Sequence, residues 1–261
     1  MPIEAKKPSD GTVGKALEVL DQVAAYGRPV RFGELLDNSD FPKATLYRFL
    51  QTLSSQKMLT YDPAEQTYRL GIRLLHLAHS AWKQSTLAPV ARPHLRDLAM
   101  QVGETIHLAQ MDNGQVLFVD KYKSVDQFET LAQTGMVAPG YCTGVGKAML
   151  AFLPDEHRAH ALLQQAYMQC TPASHTNAAS LAAELTQIRS DGIAFDREEH
   201  QRGIISIAAP ILSDSGKVIG AVSIATSTSR HSLDSLKSFR PALLKAAERI
   251  GVEAAVWQFP T

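Results

Sequence analysis

The chain holds only two cysteines, Cys142 and Cys170, among 261 residues. That excludes a disulfide framework or a zinc ribbon, which need clustered thiols, and it makes the reducing cytoplasm the expected home. No uninterrupted apolar run approaches the ~18 residues that cross a bilayer, and Met1-Pro-Ile-Glu4 has no signal-peptide core. No membrane partner is therefore expected. There is no internal repeat, no low-complexity tract and no Gly-x-Ser-x-Gly elbow of the hydrolase kind. An excess of either charge is missing too, since 26 Lys and Arg meet 26 Asp and Glu. What is present, 45% apolar and 20% charged residues, suits a soluble globular protein long enough for two domains.

Zero net charge fits nucleic-acid binding poorly until it is divided along the chain. Residues 1–85 carry 11 Lys and Arg against 9 Asp and Glu, and the remainder 15 against 17. The N-terminal excess has the right sign for DNA but is small. Affinity must then come from the placement of a few cations rather than from bulk charge.

Phe41 to Leu53 shows where such cations stand. Pro42 suits the first helical position, where its missing N–H would go unpaired anyway. Leu46, Phe49, Leu50 and Leu53 recur at helical spacing as one buried stripe. Lys43, Ala44, Thr45, Tyr47, Arg48 and Thr52 fall outside it, and the polar ones among them bond phosphates or base edges. Upstream, Phe32 to Ser39 reads as a short packing helix, with Asp40-Phe41 as the turn and Arg31 as a further DNA contact. This is helix-turn-helix spacing. An ordinary helical hairpin would look similar, but the flanks decide against it. Lys57–Tyr61 and Thr67–Gly71 form strands around an Asp-Pro turn, which makes a wing. Before them, Thr12 can cap a helix carrying Val13, Ala16, Leu17, Leu20, Val23 and Ala24. After them, Ile72, Leu75, His79 and Trp82 share one face of a linker helix expected to touch its copy in a dimer, because two half-sites supply affinity that one cannot.

The second half alternates helices and strands. Ala91–Val102 is a helix ended by Gly103, and Thr105–Met111 and Gln115–Tyr122 form a hairpin over Asp112-Asn-Gly. Gln127–Val137 is expected as a third strand. Gly203–Leu212 and Lys217–Ala225 make another hairpin, and Ser180–Ser190 and Ser232–Ala255 are expected helices. The fold class is α+β with a mostly antiparallel sheet. Chemistry can live at Tyr141–Leu153, where a glycine-containing loop runs into a helix whose free N–H groups favour anions. It is not a nucleotide P-loop, because Gly140 is one residue too far from Gly146-Lys147 and Ala148 replaces the Ser or Thr. Asp196–His200, on a connection feeding the strand of Ser206, is the second polar cluster. With Ser223 these suggest a pocket for a carboxylate.

Two other chemistries have candidate residues in the sequence. The pairs His76/His79 and His157/His160 have metal spacing, but without further ligands they read as surface histidines, so no metal and no cofactor is expected. A hydrolase would need Cys142 beside His107 or His200, and nothing in the sequence places them together, so no enzyme is expected.

Over Val13 to Ala255 the chain resembles the IclR family of bacterial transcription regulators. The resemblance rests on Pro42–Leu50, Tyr68-Arg-Leu-Gly71, Gly103-Glu-Thr105, Gly144-Val-Gly-Lys-Ala148, Ile188–Gly192 with Glu198-Glu199, and Gly203–Ile211. It implies a winged helix-turn-helix domain (10–72), a linker helix (73–86) and a GAF-like effector-binding domain (87–257), assembled as dimers or dimers of dimers on an operator. It implies that a small 2-oxo acid meets the amides of Gly144 and Val145, with Asp196, Ser206 and Ser223 completing the site beside Tyr141 and Cys142. Ala225 stands where the family has a second serine, which leaves the ligand's identity open. Thr45–Leu53 and Glu104–Leu108 look closest to repressors of sugar-acid catabolism. Tyr141-Cys142-Thr143 is similar instead to regulators of aromatic-acid degradation.

Overall fold

The structure is a computed structural model that describes residues 11–85, 87–123 and 130–255, without the side chains of residues 82–85. It divides into two compact units between Ala81 and Trp82.

The first unit runs α1 (Thr12–Ala25), β1 (Val30–Arg31), α2 (Phe32–Asp37), α3 (Lys43–Ser55), β2 (Leu59–Asp62), β3 (Thr67–Leu70) and into α4 (Ile72–Ser85). The strands form an antiparallel sheet in the order β1-β3-β2. Val19, Leu20 and Val23 of α1 pack with Leu35 and with the Leu46, Phe49, Leu50 and Leu53 stripe of α3. Two details of the helix starts differ from expectation. Gly11, not Thr12, flanks α1 and no side chain caps it, so Thr12 is simply the first helical residue. Pro42 is the flanking residue of α3, its carbonyl accepting from the N–H groups of Thr45 and Leu46. On α4, Ile72, Leu75 and Leu77 are exposed while Leu74 packs against the core. The side chain of Trp82 lies outside the described residues.

The second unit continues with α5 (Ala88–Val102), β4 (Thr105–Asp112), β5 (Gln115–Tyr122), β6 (Val137–Pro139), α6 (Gly144–Phe152), α7 (Asp155–Gln164), α8 (Ala178–Asp191), β7 (Ala194–Arg197), β8 (Ile204–Leu212), β9 (Val218–Ser227), α9 (Leu233–Leu236) and α10 (Arg240–Ala254). All strands pair antiparallel in one six-stranded sheet, β6-β5-β4-β9-β8-β7. Strand residues alternate between faces. Ile106 and Leu108, Ile205 and Ile207, and Val222 and Ile224 point to the α5 and α10 side. Ala109, Ala208 and Ala221 point to the α6 and α8 side. The fold is therefore α+β, a winged helix-turn-helix followed by an antiparallel sheet between helical layers.

Three expected elements are corrected. The third strand is Val137–Pro139 rather than Gln127–Val137: residues 127–129 lie outside the described residues, and Gly135, at φ +86°, turns the chain two residues before the strand begins. The C-terminal helix is broken into α9, a 3-10 turn at Lys237–Phe239, and α10, because Pro241 has no N–H to continue the earlier turn. Asp196 lies on an edge strand, β7, not on a connection.

Candidate functional site

The first unit presents a polar face on α3. Lys43, Ala44, Tyr47, Arg48 and Thr52 are exposed and Thr45 half-buried. The Tyr47 ring stands edge-on to Phe32 at 6.1 Å, and its hydroxyl accepts from Gln51 Nε2 at 3.0 Å, so the side chain is braced outward. Thr52 donates its hydroxyl to the Arg48 carbonyl at 2.9 Å, leaving it as an acceptor towards a partner. Arg31 is exposed, and its backbone N–H holds Glu34 at 2.9 Å. A groove lined by Arg31, Lys43, Ala44 and Tyr47 continues to Tyr61 and Gln66 of the wing. Neither Lys43 nor Arg48 has an acidic partner among the described residues; Arg48 only lies over the Phe49 ring at 5.9 Å.

The second unit encloses a small cavity between the sheet and the start of α6. Strand register builds its floor. Asp196 pairs with Ser206, Ser206 with Ala225, and Ala225 with Thr105, a row across four strands. One step along, His107 pairs with Ser223. Period-2 alternation turns His107, Ser206, Ser223 and Ala225 to the α6 side, and all of them line the cavity with Asp196, Gly144 and Val145. Phe118, Thr130, Ala132, His200 and Gln201 close its sides. The cavity volume is about 40 Å³, which suits a compact ligand.

Local chemistry leaves two donors open at its wall. Thr143 caps α6, its hydroxyl accepting from Gly146 N–H at 3.3 Å and donating to the Pro139 carbonyl at 2.9 Å. The Thr143 carbonyl takes the Lys147 N–H at 2.9 Å. The N–H groups of Gly144 and Val145 have no partner among the described residues. Gly144 is required by space, because a Cβ there would lie 2.7 Å from Ser206 Oγ. Free amides at a helix start, with the dipole behind them, bind anions.

The buried charges beside this wall are mutually satisfied. Lys147, wholly buried on α6, has its Nζ 3.0 Å from Glu184 Oε1 and against Glu199 Oε2. Glu184 also meets His175 and Arg197, each at 2.6 Å. Burial alone would raise Glu184; the His175 hydrogen bond and the Lys147 and Arg197 charges outweigh it and hold it down at about 2. Burial prevails at Glu199 and shifts it upward. His107, bonded to Thr130 Oγ1 at 3.0 Å, is pushed down to about 3 by burial and then by Lys121, so it is a neutral ring.

Against known proteins, residues 12–63 match the IclR helix-turn-helix domain, and residues 79–252 match the bacterial transcriptional regulator IclR C-terminal domain. The chain belongs to the IclR family. It is a DNA-binding transcriptional regulator. It is 28% identical to the HTH-type transcriptional regulator KdgR of Escherichia coli (strain K12) over 95% of each chain. To the regulator XynR of the same organism it is 28% identical over 90% of this chain and 93% of the other. The crystal structure of the Thermotoga maritima IclR superposes with a TM-score of 0.78 at 25% identity, covering 94% of this chain and 98% of that one. These IclR-family relatives are regulators, not enzymes.

Of the residues expected at an effector site, Gly144, Val145, Asp196, Ser206, Ser223 and Ala225 meet in one cavity. Tyr141 and Cys142 do not line it. Both are buried in the core behind α6, the Tyr141 hydroxyl donating to the Met168 carbonyl at 2.5 Å. Burial, with Cys170 nearby, pushes the Cys142 thiol up, so it offers no thiolate. His76, His79, His157 and His160 are exposed. Among the described residues the one cluster with metal-donor spacing is His175, Glu184 and Glu199, and its carboxylates already hold Lys147. His107, Thr130 and His200 were not anticipated at the cavity. Alternation put His107 on the right face, but only the pairing of β4 with β9 brings it beside Ser223.

Proposed function

We propose that this protein represses a catabolic operon and releases its operator when a small sugar acid or keto acid docks in the cavity, its carboxylate on the N–H groups of Gly144 and Val145. The observation that carries this is the pair of unpartnered amides at the start of α6, facing Ser206 and Ser223, which can donate and accept. The compact cavity favours a short acid over an aromatic one, and Ala225 gives its floor an apolar spot for a methylene or methyl group. In this reading residues 10–72 bind DNA, 73–86 link, and 87–257 sense and assemble. Two copies read a roughly palindromic site from within the cytoplasm, brought together by the exposed Ile72, Leu75 and Leu77 of α4. DNA retained from the protein's own genome supplies the operator, and a panel of sugar, keto and aromatic acids supplies the release test. Gly144→Val is expected to keep operator binding and lose release, since its side chain fills the space of the ligand and of Ser206 Oγ. Equal release from wild type and variant would place the acid elsewhere.

A further inference from the structure

An acid docked on Gly144 and Val145 brings its negative charge into the same small cavity as Asp196. Asp196 is buried, with Oδ1 accepting from the Glu199 N–H at 2.8 Å. No Lys or Arg lines the cavity among the described residues. Lys121 stands behind the wall, its Nζ donating to Thr130 Oγ1 and the Ala132 carbonyl at 2.9 Å each, while Lys147 is held by Glu184 and Glu199 and Arg197 by Glu184. Two carboxylates would then stand at close quarters in a low dielectric with backbone dipoles, and no cation of the lining itself, to hold them.

We propose that the cavity takes up a proton together with the acid, and that the Asp196 carboxyl holds this proton and donates it in a hydrogen bond to the bound ligand. This rests on the reading of the cavity as an acid site. The groups facing Asp196 from each side favour it. From its own turn, Glu199 repels a charge on Asp196 and burial keeps His200 neutral. Lys147 on α6 attracts that charge, but two glutamates share Lys147. The Cys142 thiol behind is neutral, His107 on β4 is neutral, and Ser206 and Ser223 carry no charge. Burial and then Glu199 push the Asp196 carboxyl up to about 7, against its backbone hydrogen bonds. A proton is thus available to it at small cost where the histidines resist one.

The full-length protein is titrated with pyruvate, the smallest 2-oxo acid, and with gluconate, calorimetrically in buffers of different ionisation heat. About one proton is taken up per acid at pH 8 and almost none at pH 6, and affinity falls about tenfold per pH unit above 7. Asp196→Asn binds without proton uptake and with affinity independent of pH. Uptake that persists in Asp196→Asn, or wild-type heats that do not depend on the buffer, overturns the proposal alone. A ligand-free measurement runs beside these: the Asp196 carboxyl carbon, identified by its loss in Asp196→Asn, titrates near neutral pH by NMR. A midpoint in the ordinary aspartate range overturns the proposal even if acids bind. Failure of both acids at every pH, with Asp196 titrating near neutral, removes the acid-site reading and this inference with it.

Discussion

The two units of this chain present different groups for a negative charge to meet. The α3 face offers Lys43 and Arg48 bare to water, without acidic partners among the described residues. The cavity wall offers backbone N–H groups, while Lys147 beside it is locked between glutamates and Lys121 is bonded to Thr130 and the Ala132 carbonyl. Dielectric explains the contrast. At the surface a cation keeps its hydration until it meets phosphates, and release of condensed counterions drives binding. In the interior an unpaired Lys would carry a desolvation cost that one small acid cannot repay, whereas amides fixed at a helix start are already desolvated and oriented. Charge in this protein is spent where water is, and dipoles are used where it is not.

The sharpest way to break this comparison is to remove the cation from the interior. Lys147→Met leaves Glu199 buried without its close counter-charge and Glu184 with only Arg197 and His175, and should cost about 3–5 kcal/mol of stability in the second unit, followed by denaturant unfolding. The helix-turn-helix unit should be untouched. A loss under about 1 kcal/mol would mean that the glutamates are not held by Lys147. Removing a surface cation acts on binding instead. Arg48→Ala should cost about 1–3 kcal/mol of operator affinity at fixed salt, with no change in acid binding. Unchanged operator affinity would show that α3 is not the reading helix.

Acid–base behaviour separates the units further. His107 titrates at about 3 in the folded protein against an ordinary 6.5. Between those values the unfolded chain binds a proton that the folded chain does not, so this contribution to stability is lost as pH falls from 6.5 towards 3. Asp196 has the opposite sign. Its folded value near 7 lies above the ordinary 3.8, so its contribution is present at low pH and lost as pH rises through 7. The slopes, each up to about 1 kcal/mol per pH unit, oppose one another from 4 to 6.5. His107→Gln should therefore make the second unit gain stability on acidification across that range, and Asp196→Asn should make it lose stability. Parallel pH profiles for the two variants would refute the assignment.

Much of this was legible in the residues. The Leu46–Leu53 stripe announced α3 through its period, and Asn113-Gly114 announced its hairpin because both residues need positive φ, as found at 48° and 77°. Gly103 ended its helix in the left-handed conformation that glycine permits. The cavity was legible only in part. Gly144, Val145 and Asp196 could be placed through family resemblance, but the facing of His107 and Ser223 depends on register between strands more than a hundred residues apart, which no local period encodes. Tyr141 and Cys142 misled for a related reason. They sit next to the anion loop in sequence, yet the chain turns at Thr143 to enter α6, which sends them into the core. The break before α10 was visible as Pro241, but helical periodicity across it masked the interruption.

The smallest expected effect gives the finest separation of the two regions. Lys43 is the first residue of α3 and exposed, and in the proposed reading it meets a phosphate rather than a base edge. A phosphate contact releases about one counterion, so Lys43→Ala should lower the slope of log affinity against log salt by about 1 and weaken all DNA sequences alike. Arg48→Ala should instead flatten the preference for particular bases, because a guanidinium reads guanine edges bidentately. Acid binding in the cavity should scarcely respond to salt, since its donors are buried amides that displace no counterions. Binding isotherms from 50 to 300 mM salt (values on the order of those that separate such slopes) would record all three behaviours in one series. If Lys43→Ala shifted base preference while leaving the slope intact, Lys43 would be the reader and the register of α3 on DNA would have to be rotated. If acid affinity fell as steeply with salt as operator affinity does, the division between exposed cations and buried dipoles would fail at the cavity.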